Sequence, residues 1–401
     1  MNQLTLLLVG ALLLGGSGPD HVKLEDGKIL DGRVVQESRD AVVLRANNAN
    51  RTILRKDITD LTTLERSLAK IVAREVGTGD AVAYAGLAVE CEKAELVAEA
   101  RLMWMRVLLA DPSNAAAIKA LDARALKDDV AFKIGKDQHK LSEMRKPQPK
   151  WKEAYELETT HFVLRTDMEL GRALDVGLDL ERFHQRFYDL LGKPLELFIF
   201  DERELPEIRV YSEPGAYPSP PVPGERVWFG VAENCLHVAA EQPVDVPSVV
   251  FELSRQMLFS AMRRSAGPTA QVPAWVATGI SQYFAMAAPQ KRGLPWASAT
   301  EPFKTLFQTA AASDVTFERL FRGVPDDFTN GPKASEMSAD AYTLLHFFRF
   351  GRDGELRDGF GKYVTEGAKG KLSMSALTDH VKLKPDEIEK AWREYVRANA
   401  Q

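Results

Sequence analysis

The sequence predicts an α+β multidomain protein: a β-rich N-terminal part, a helical middle, and a C-terminal part where a mixed sheet leads into a helical bundle. Three observations carry this. Residues 21–64 alternate apolar and polar with period two. Residues 65–126 are alanine-rich, with larger apolar residues near helical spacing. From Trp151 onward strand-like and helix-like stretches are mixed, and after Phe284 the periodic stretches are largely helical.

The chain has 401 residues, enough for two or three domains. Its 45% hydrophobic and 27% charged content is that of a globular protein. With a net charge of −5, no basic run and no interleaving of aromatic and basic residues, nucleic-acid binding is not expected. Cys91 and Cys235 lie far apart and form neither a metal motif nor a disulfide framework, which leaves one long-range bridge open.

Leu4 to Leu14 (LTLLLVGALLL) is apolar but short for a bilayer span, and Gly15, Gly16 and Ser17 are small enough for cleavage. Residues 1–17 are therefore expected to be a signal peptide, with an uncut anchor helix as the alternative. Either way the body is exported, to a periplasm or beyond. No transmembrane helix is expected in the mature chain. No cysteine follows the apolar run, so a lipid anchor is not expected.

In residues 21–64, short apolar runs are punctuated by Asp26-Gly27 and Asp31-Gly32, and Asp-Gly pairs are strong hairpin signals. The pattern V-x-L-x-D-G-x-x-L-x-G-x-V, ending in Lys56-Asp57-Ile58, resembles small five-stranded barrels of the SH3 or Sm-like kind. That resemblance implies a peptide-binding or packing module, and no catalytic residue stands out within it.

Leu87, Leu96, Ala100, Trp104, Val107 and Leu108 recur near helical spacing. The segment AELVAEARLMWMRVLLADPSNAAAIKAL resembles a tetratricopeptide helix pair, with Asp111-Pro112-Ser113-Asn114 at the inter-repeat turn. One repeat cannot bury its own faces, so it is expected to pack on a neighbour. A plain helical domain and a peptide-binding role both remain open. Residues 127–150 are polar and end in Lys-Pro-Gln-Pro-Lys, which reads as a linker.

Beyond the linker, LETTHFVLRTD alternates as a strand and Leu170 to Leu191 is an amphipathic helix. Strands are expected at Leu195 to Phe200, Ile208 to Tyr211, Val227 to Gly230 and Cys235 to Ala239. The proline-rich stretch Pro214 to Gly224 is a loop. Cys235 and His237 share a face of their strand, and core packing is the expected role of both. Helices follow at 303–311, 317–321, 339–350, 358–363 and 383–396. The last opens with Lys384-Pro385-Asp386-Glu387, placing acids in its first turn as the helix dipole prefers.

The stretch Pro247 to Phe284 reads as helix, loop, helix. Val249, Val250, Leu253, Met257 and Leu258 make one apolar face. Gly267-Pro268 breaks the chain and Pro273 opens a second helix. The layout resembles the active-site core of gluzincin metallopeptidases, as found in peptidase-like domains of secreted bacterial proteins. Their first helix carries H-E-x-x-H and their second W-x-x-E-G-x-A-x-Y. The frame persists here in Pro273-Ala274-Trp275, Gly279 and Tyr283-Phe284, and the resemblance extends in outline over residues 151–401. The ligands do not persist. Phe251 and Arg255 stand at the two histidine positions and Thr278 at the third ligand, and of the catalytic set only Glu252 remains. Phe has no lone pair, Arg repels a cation, and Thr is a poor neutral ligand, so no metal and no cofactor are expected.

The resemblance implies a catalytically inactive peptidase-like protein that binds a peptide or protein ligand in the former cleft. Trp228, Trp275, Tyr283 and Tyr342 are its expected apolar walls, and Arg255 offers charge to a carboxylate beside Glu252. Tyr342 and His346, four apart on one helix, correspond to the helix that leans over the cleft in active relatives. Two alternatives are kept: a working peptidase with atypical ligands, using Glu252 with His237 or His346, and a purely structural envelope protein.

Overall fold

A computed structural model describes residues 20–401 apart from 39, 48, 76–78, 149, 196–204, 214, 241–244, 268–270, 290–295, 299–301 and 368–372. The expected signal peptide and the expected strand at Leu195 to Phe200 fall outside the described residues, the latter except for Leu195 itself. Among the described residues the protein is α+β, with 14 α-helices and three sheets. None of the described helices is long and apolar enough to cross a membrane. The chain forms two compact units. The first runs to Val34 and then from Val42 to Arg182; the second holds Val35–Ala41, continues from Phe183 and includes Pro206–Gln401.

The first unit opens with β1 (Asp20–Leu24), β2 (Ile29–Glu37), β3 (Ala41–Ala46), β4 (Ala49–Leu54) and β5 (Ile58–Thr62), in the order β4-β3-β2-β1-β5. Val22, Val42, Leu44, Ile53 and Leu61 form its core, which is what period-two alternation produces when one face is buried. Asp26-Gly27 makes the β1–β2 turn, with Gly27 at φ +81. Asp31-Gly32 does not turn the chain. It lies inside β2, opposite His21 and Asp20, and a Cβ on Gly32 would meet the Arg45 carbonyl oxygen at 2.6 Å. That glycine serves close backbone approach rather than reversal.

Helices α1 (Leu64–Glu75), α2 (Ala81–Lys93), α3 (Val97–Ala110) and α4 (Ala115–Ala120) follow, and α2 packs along α3. Asp80 and Asn114 cap α2 and α4 by accepting the amides of Ala83 and Ala117. The stretch expected to be a linker is instead structured. It contributes β7 (Val130–Ile134), β8 (Asp137–Lys140) and α5 (Leu141–Met144), and β7 pairs with both β8 and β6 (Arg124–Ala125). Val130, Ala131, Phe132 and Ile134 bury their side chains, and Gly135 at φ +59 turns the hairpin. A four-residue apolar seam among charged neighbours is too short to stand out from composition.

The LETTHFVLRTD stretch is also not one strand. It is the antiparallel hairpin β9 (Tyr155–Glu158) and β10 (Val163–Thr166), closed where the Thr159 amide donates to the Phe162 carbonyl at 2.9 Å. Helix α6 (Leu170–Phe187) comes next and continues into a π-helical turn over Tyr188–Gly192. The division between the units falls within α6, not at the 127–150 stretch.

In the second unit β11 (Glu207–Tyr211) pairs parallel with β13 (Cys235–Ala239), and β12 (Val227–Gly230) pairs antiparallel with the other side of β13. β12 is the edge strand of this sheet. Both cysteines of the chain are buried free thiols, so the long-range bridge is not formed. Helices α7 (Val246–Ala266), α8 (Ala274–Ala287), α9 (Lys304–Ala312), α10 (Phe317–Phe321), α11 (Ala334–Phe350), α12 (Arg357–Gly367), α13 (Met374–Val381) and α14 (Pro385–Asn399) complete the unit. α7 packs along α8 and against β12, α8 packs along α11, and α11 also meets α9 and α14. Trp275, Tyr283, Phe284, Phe307, Tyr342, Phe347, Tyr363 and Trp392 fill the core of this unit.

Candidate functional site

Helix α7 is a well-terminated rod. Asp245 accepts the Ser248 amide at 3.0 Å, Pro247 occupies the first turn, and Gly267 at φ +94 ends it. Its rigidity fixes the position of Glu252. The Glu252 carboxylate takes Arg255 Nη1 at 2.9 and 3.0 Å, an i,i+3 pair on one face of the helix. It also accepts the backbone amide of Phe229, on edge strand β12, at 3.2 Å. A sheet edge exposes amides that need partners, and here a helix carboxylate supplies one. Burial pushes Glu252 above the usual carboxylate range, against the pull of Arg255 and the Phe229 amide. Burial likewise raises Glu225, which also feels Arg255.

This arrangement suits a structural clamp better than a water-activating base, because the carboxylate is already engaged on both sides. Among the described residues, no group of three His, Cys, Asp or Glu at metal-binding spacing includes Glu252. Phe251 is half-buried beside it, and Thr278 is buried within α8 at 8% exposure. The two histidines considered as substitute ligands are committed elsewhere. His237 meets the Tyr211 hydroxyl at 2.9 Å through Nδ1 and Glu233 at 2.8 Å through Nε2. Its ring is stacked on Trp228 at 4.2 Å and on Tyr211 at 6.0 Å, and burial lowers its pKa despite Glu233. His346 Nδ1 meets the Tyr395 hydroxyl at 2.8 Å.

The expected cleft walls do not assemble into one surface. Trp275 and Tyr342 are 0% exposed, Tyr283 and His346 1%, so their rings are core and none forms the wall of an open peptide groove. Trp275 packs among Phe321, Phe348, Phe360 and Tyr363. Tyr342 packs on Phe303 and Phe307, and Phe307 also meets His346. Large aromatics four apart on a buried helix fill the core on every side, which the linear spacing cannot distinguish from a cleft wall. α7 meets β12 through Phe259, whose ring lies 5.6 Å from that of Phe229, and Phe251, Arg255 and Phe259 on α7 are half-buried, whereas Trp228 points to the opposite face of the sheet and stacks on His237.

Two clusters were not visible in the sequence. In the first unit, His161 lies between two carboxylates, with Nδ1 2.6 Å from Glu181 and Nε2 2.8 Å from Glu65. Burial alone would lower its pKa, but the two carboxylates overcome this and raise it to about 10, so the ring is a cation. Glu99 accepts from the Thr160 amide and hydroxyl, both at 2.9 Å. Burial and then the charge of Glu181 raise it to about 7. The four residues are scattered over four separate elements or turns, and no local spacing joins them. In the second unit, Arg186 and Arg349 lie near Tyr283, and Arg357 lies beside Arg349 over the Phe350 ring.

No protein-family model matches the chain, and no curated protein or solved structure matches it either.

Proposed function

We propose that this chain is an exported, catalytically inactive peptidase-like protein that binds an extended peptide or protein segment along the seam between β12 and α7. One observation carries the reading. The only residue of the expected zinc motif that remains, Glu252, is engaged by Arg255 and by the Phe229 amide. A carboxylate held by a guanidinium and a backbone amide is committed to joining helix and strand, which supports a structural role over a water-activating one. The same contact explains why Glu252 would persist without catalysis: it joins helix to sheet edge. An edge strand with half-buried Phe251 and Phe259 of α7 on one side and half-buried Trp228 on the other face offers backbone groups and apolar contact of the kind strand addition uses. Arg255, with a side chain 30% exposed, supplies charge for an acidic group of the ligand.

Elemental analysis of the purified protein tests this, together with proteolysis assays on denatured casein. The expected result is far less than one zinc per chain and no peptide cleavage. Glu252→Gln should lower stability by about 1–2 kcal/mol, the scale of a charge-assisted hydrogen bond, with no cleavage to lose. A stoichiometric zinc, or a cleavage rate abolished by Glu252→Gln, would overturn the proposal. Casein fragments should also slow amide exchange over 225–230, and no change there would remove the binding half of the reading.

A further inference from the structure

Arg186 on α6, Tyr283 on α8, Arg349 on α11 and Arg357 on α12 converge in the second unit. The Arg349 guanidinium carbon lies 5.1 Å from the centre of the Tyr283 ring and 5.5 Å from that of Phe350. Arg357 stands over the same Phe350 ring at 6.0 Å. The polar contacts of these arginines are to backbone carbonyls. Arg349 Nη2 donates to Leu190 O at 3.1 Å, Arg357 Nε to Arg349 O at 3.2 Å, and Arg186 Nη2 to Ala297 O at 3.2 Å. These bonds orient the guanidinium planes without neutralising them.

Among the described residues, the titratable groups that bear on Arg349 are Tyr283, Arg357 and Arg186, with no carboxylate among them. Burial and then the two neighbouring arginines pull its pKa down, the signature of cations collected without a counter-charge. Clustered cations of this sort are costly unless an anion joins them. Two buried polar atoms face the same gathering without a hydrogen-bond partner: the Tyr283 hydroxyl, on a side chain 1% exposed, and Arg186 Nε. Arg186 and Arg349 both act electrostatically on that hydroxyl. Buried hydroxyls nearly always have a partner in native proteins, and an exception points to a ligand. Arg186 and Arg349 are half-buried and Arg357 is exposed, so the cluster borders the surface through Arg357.

We propose that Arg186, Arg349, Arg357 and the Tyr283 hydroxyl form a binding site for a phosphate group. Phosphate is favoured over a single carboxylate because its oxygens can meet several guanidiniums at once and its dianion offsets more than one of the charges. The hydroxyl donates to one oxygen while Arg186 Nε and the remaining Arg349 N–H groups donate to others. Aromatic rings under Arg349 and Arg357 keep the guanidiniums flat and in place. The site is independent of the β12–α7 seam and of the peptide-binding reading.

The test titrates inorganic phosphate into the full chain at about pH 7.5, read by calorimetry and by melting temperature, with sodium chloride at matched ionic strength and sodium acetate as separate arms. Phosphate should bind saturably and raise the melting temperature, while chloride and acetate do so far less. Tyr283→Phe keeps the ring under Arg349, and Arg357→Gln alters an exposed side chain, so both should fold. Each should weaken phosphate binding by about tenfold, the scale of one charge-assisted hydrogen bond, while leaving the phosphate-free melting temperature nearly unchanged. Arg349→Met should abolish the phosphate response and leave the phosphate-free protein at least as stable. The proposal is overturned if phosphate acts no more strongly than chloride, if acetate outperforms it, or if the response is the same in the parent and all three variants.

Discussion

Glu99 is fully buried, held by Thr160 on both oxygens and pressed by the charge of Glu181. Its folded pKa of about 7 lies above the 4.5 of a free glutamate. The folded chain therefore grips this proton more tightly than the unfolded chain, and the stabilisation is complete below about pH 4.5. It is lost as pH rises through about 7. His161 has the same sign, because its pKa of about 10 exceeds the free value of 6.5. Its contribution is complete below 6.5 and is lost as pH rises through 10. Stability against urea should thus fall between about pH 5 and 8 with Glu99 as the principal cause. Glu99→Gln can accept the Thr160 amide and donate to its hydroxyl, and it should flatten that fall by roughly 1–3 kcal/mol. An equal fall in parent and variant would mean that Glu99 is ionised throughout that range. None of this can be read from the residue string, since Glu99 and His161 acquire these pKa values only from burial and from contact with Thr160, Glu65 and Glu181.

Helix α8 illustrates the next scale. Its glycine, Gly279, was part of the frame that carried the family resemblance, and the structure supplies a packing reason for it. A Cβ at that position would stand 2.6 Å from the Ala341 carbonyl oxygen and 3.2 Å from the Leu345 Cβ. The two helices cross so closely that only a hydrogen fits. Gly279→Ala should force α8 and α11 apart and destabilise the protein by about 1–3 kcal/mol, the usual cost of overpacking. A chemical denaturation curve at pH 7 checks this, and an unchanged midpoint would mean that the helices can shift without penalty. Thr278 beside it is also buried.

For the molecule as a whole, the question is whether the α7–α8 pair is a peptidase frame that has lost its metal. The triple change Phe251→His, Arg255→His, Thr278→Glu would rebuild two imidazoles one helical turn apart and a third carboxylate. It also releases Glu252 from Arg255, leaving only the Phe229 amide on it. A carboxylate at the buried position 278 is costly until a cation joins it, so the metal-free variant should melt lower than the parent. Zinc should then restore the melting temperature by mass action, with an affinity about ten- to a hundredfold below that of a working site. If the triple variant does not fold, Phe251→His with Arg255→His alone, both at half-buried positions, keeps the question open to measurement through a weaker zinc response. No zinc response from either folded variant would mean that the helices are not arranged as the resemblance implies.

The sequence by itself determined the α+β class, the period-two sheet over residues 20–62, and helices α2, α3, α7, α8 and α14. Those signals are local: alternation, helical spacing, prolines at helix starts, and acids in the first turn of the last helix. Arg255 follows Glu252 by three residues, a spacing that lets the two meet on one helix face, and the structure pairs them. Tertiary structure alone decided the rest. It turned the expected linker into the β7–β8 hairpin and split one expected strand into β9 and β10, because burial of a few side chains outweighs a weak local pattern. It buried Trp275, Tyr283, Tyr342 and His346 in helix packing, where periodicity reports only that a face is apolar and not what lies opposite. It brought Arg186 of α6 to Arg349 and Arg357 of the consecutive helices α11 and α12, because charge clusters depend on distances through space that residue order does not encode.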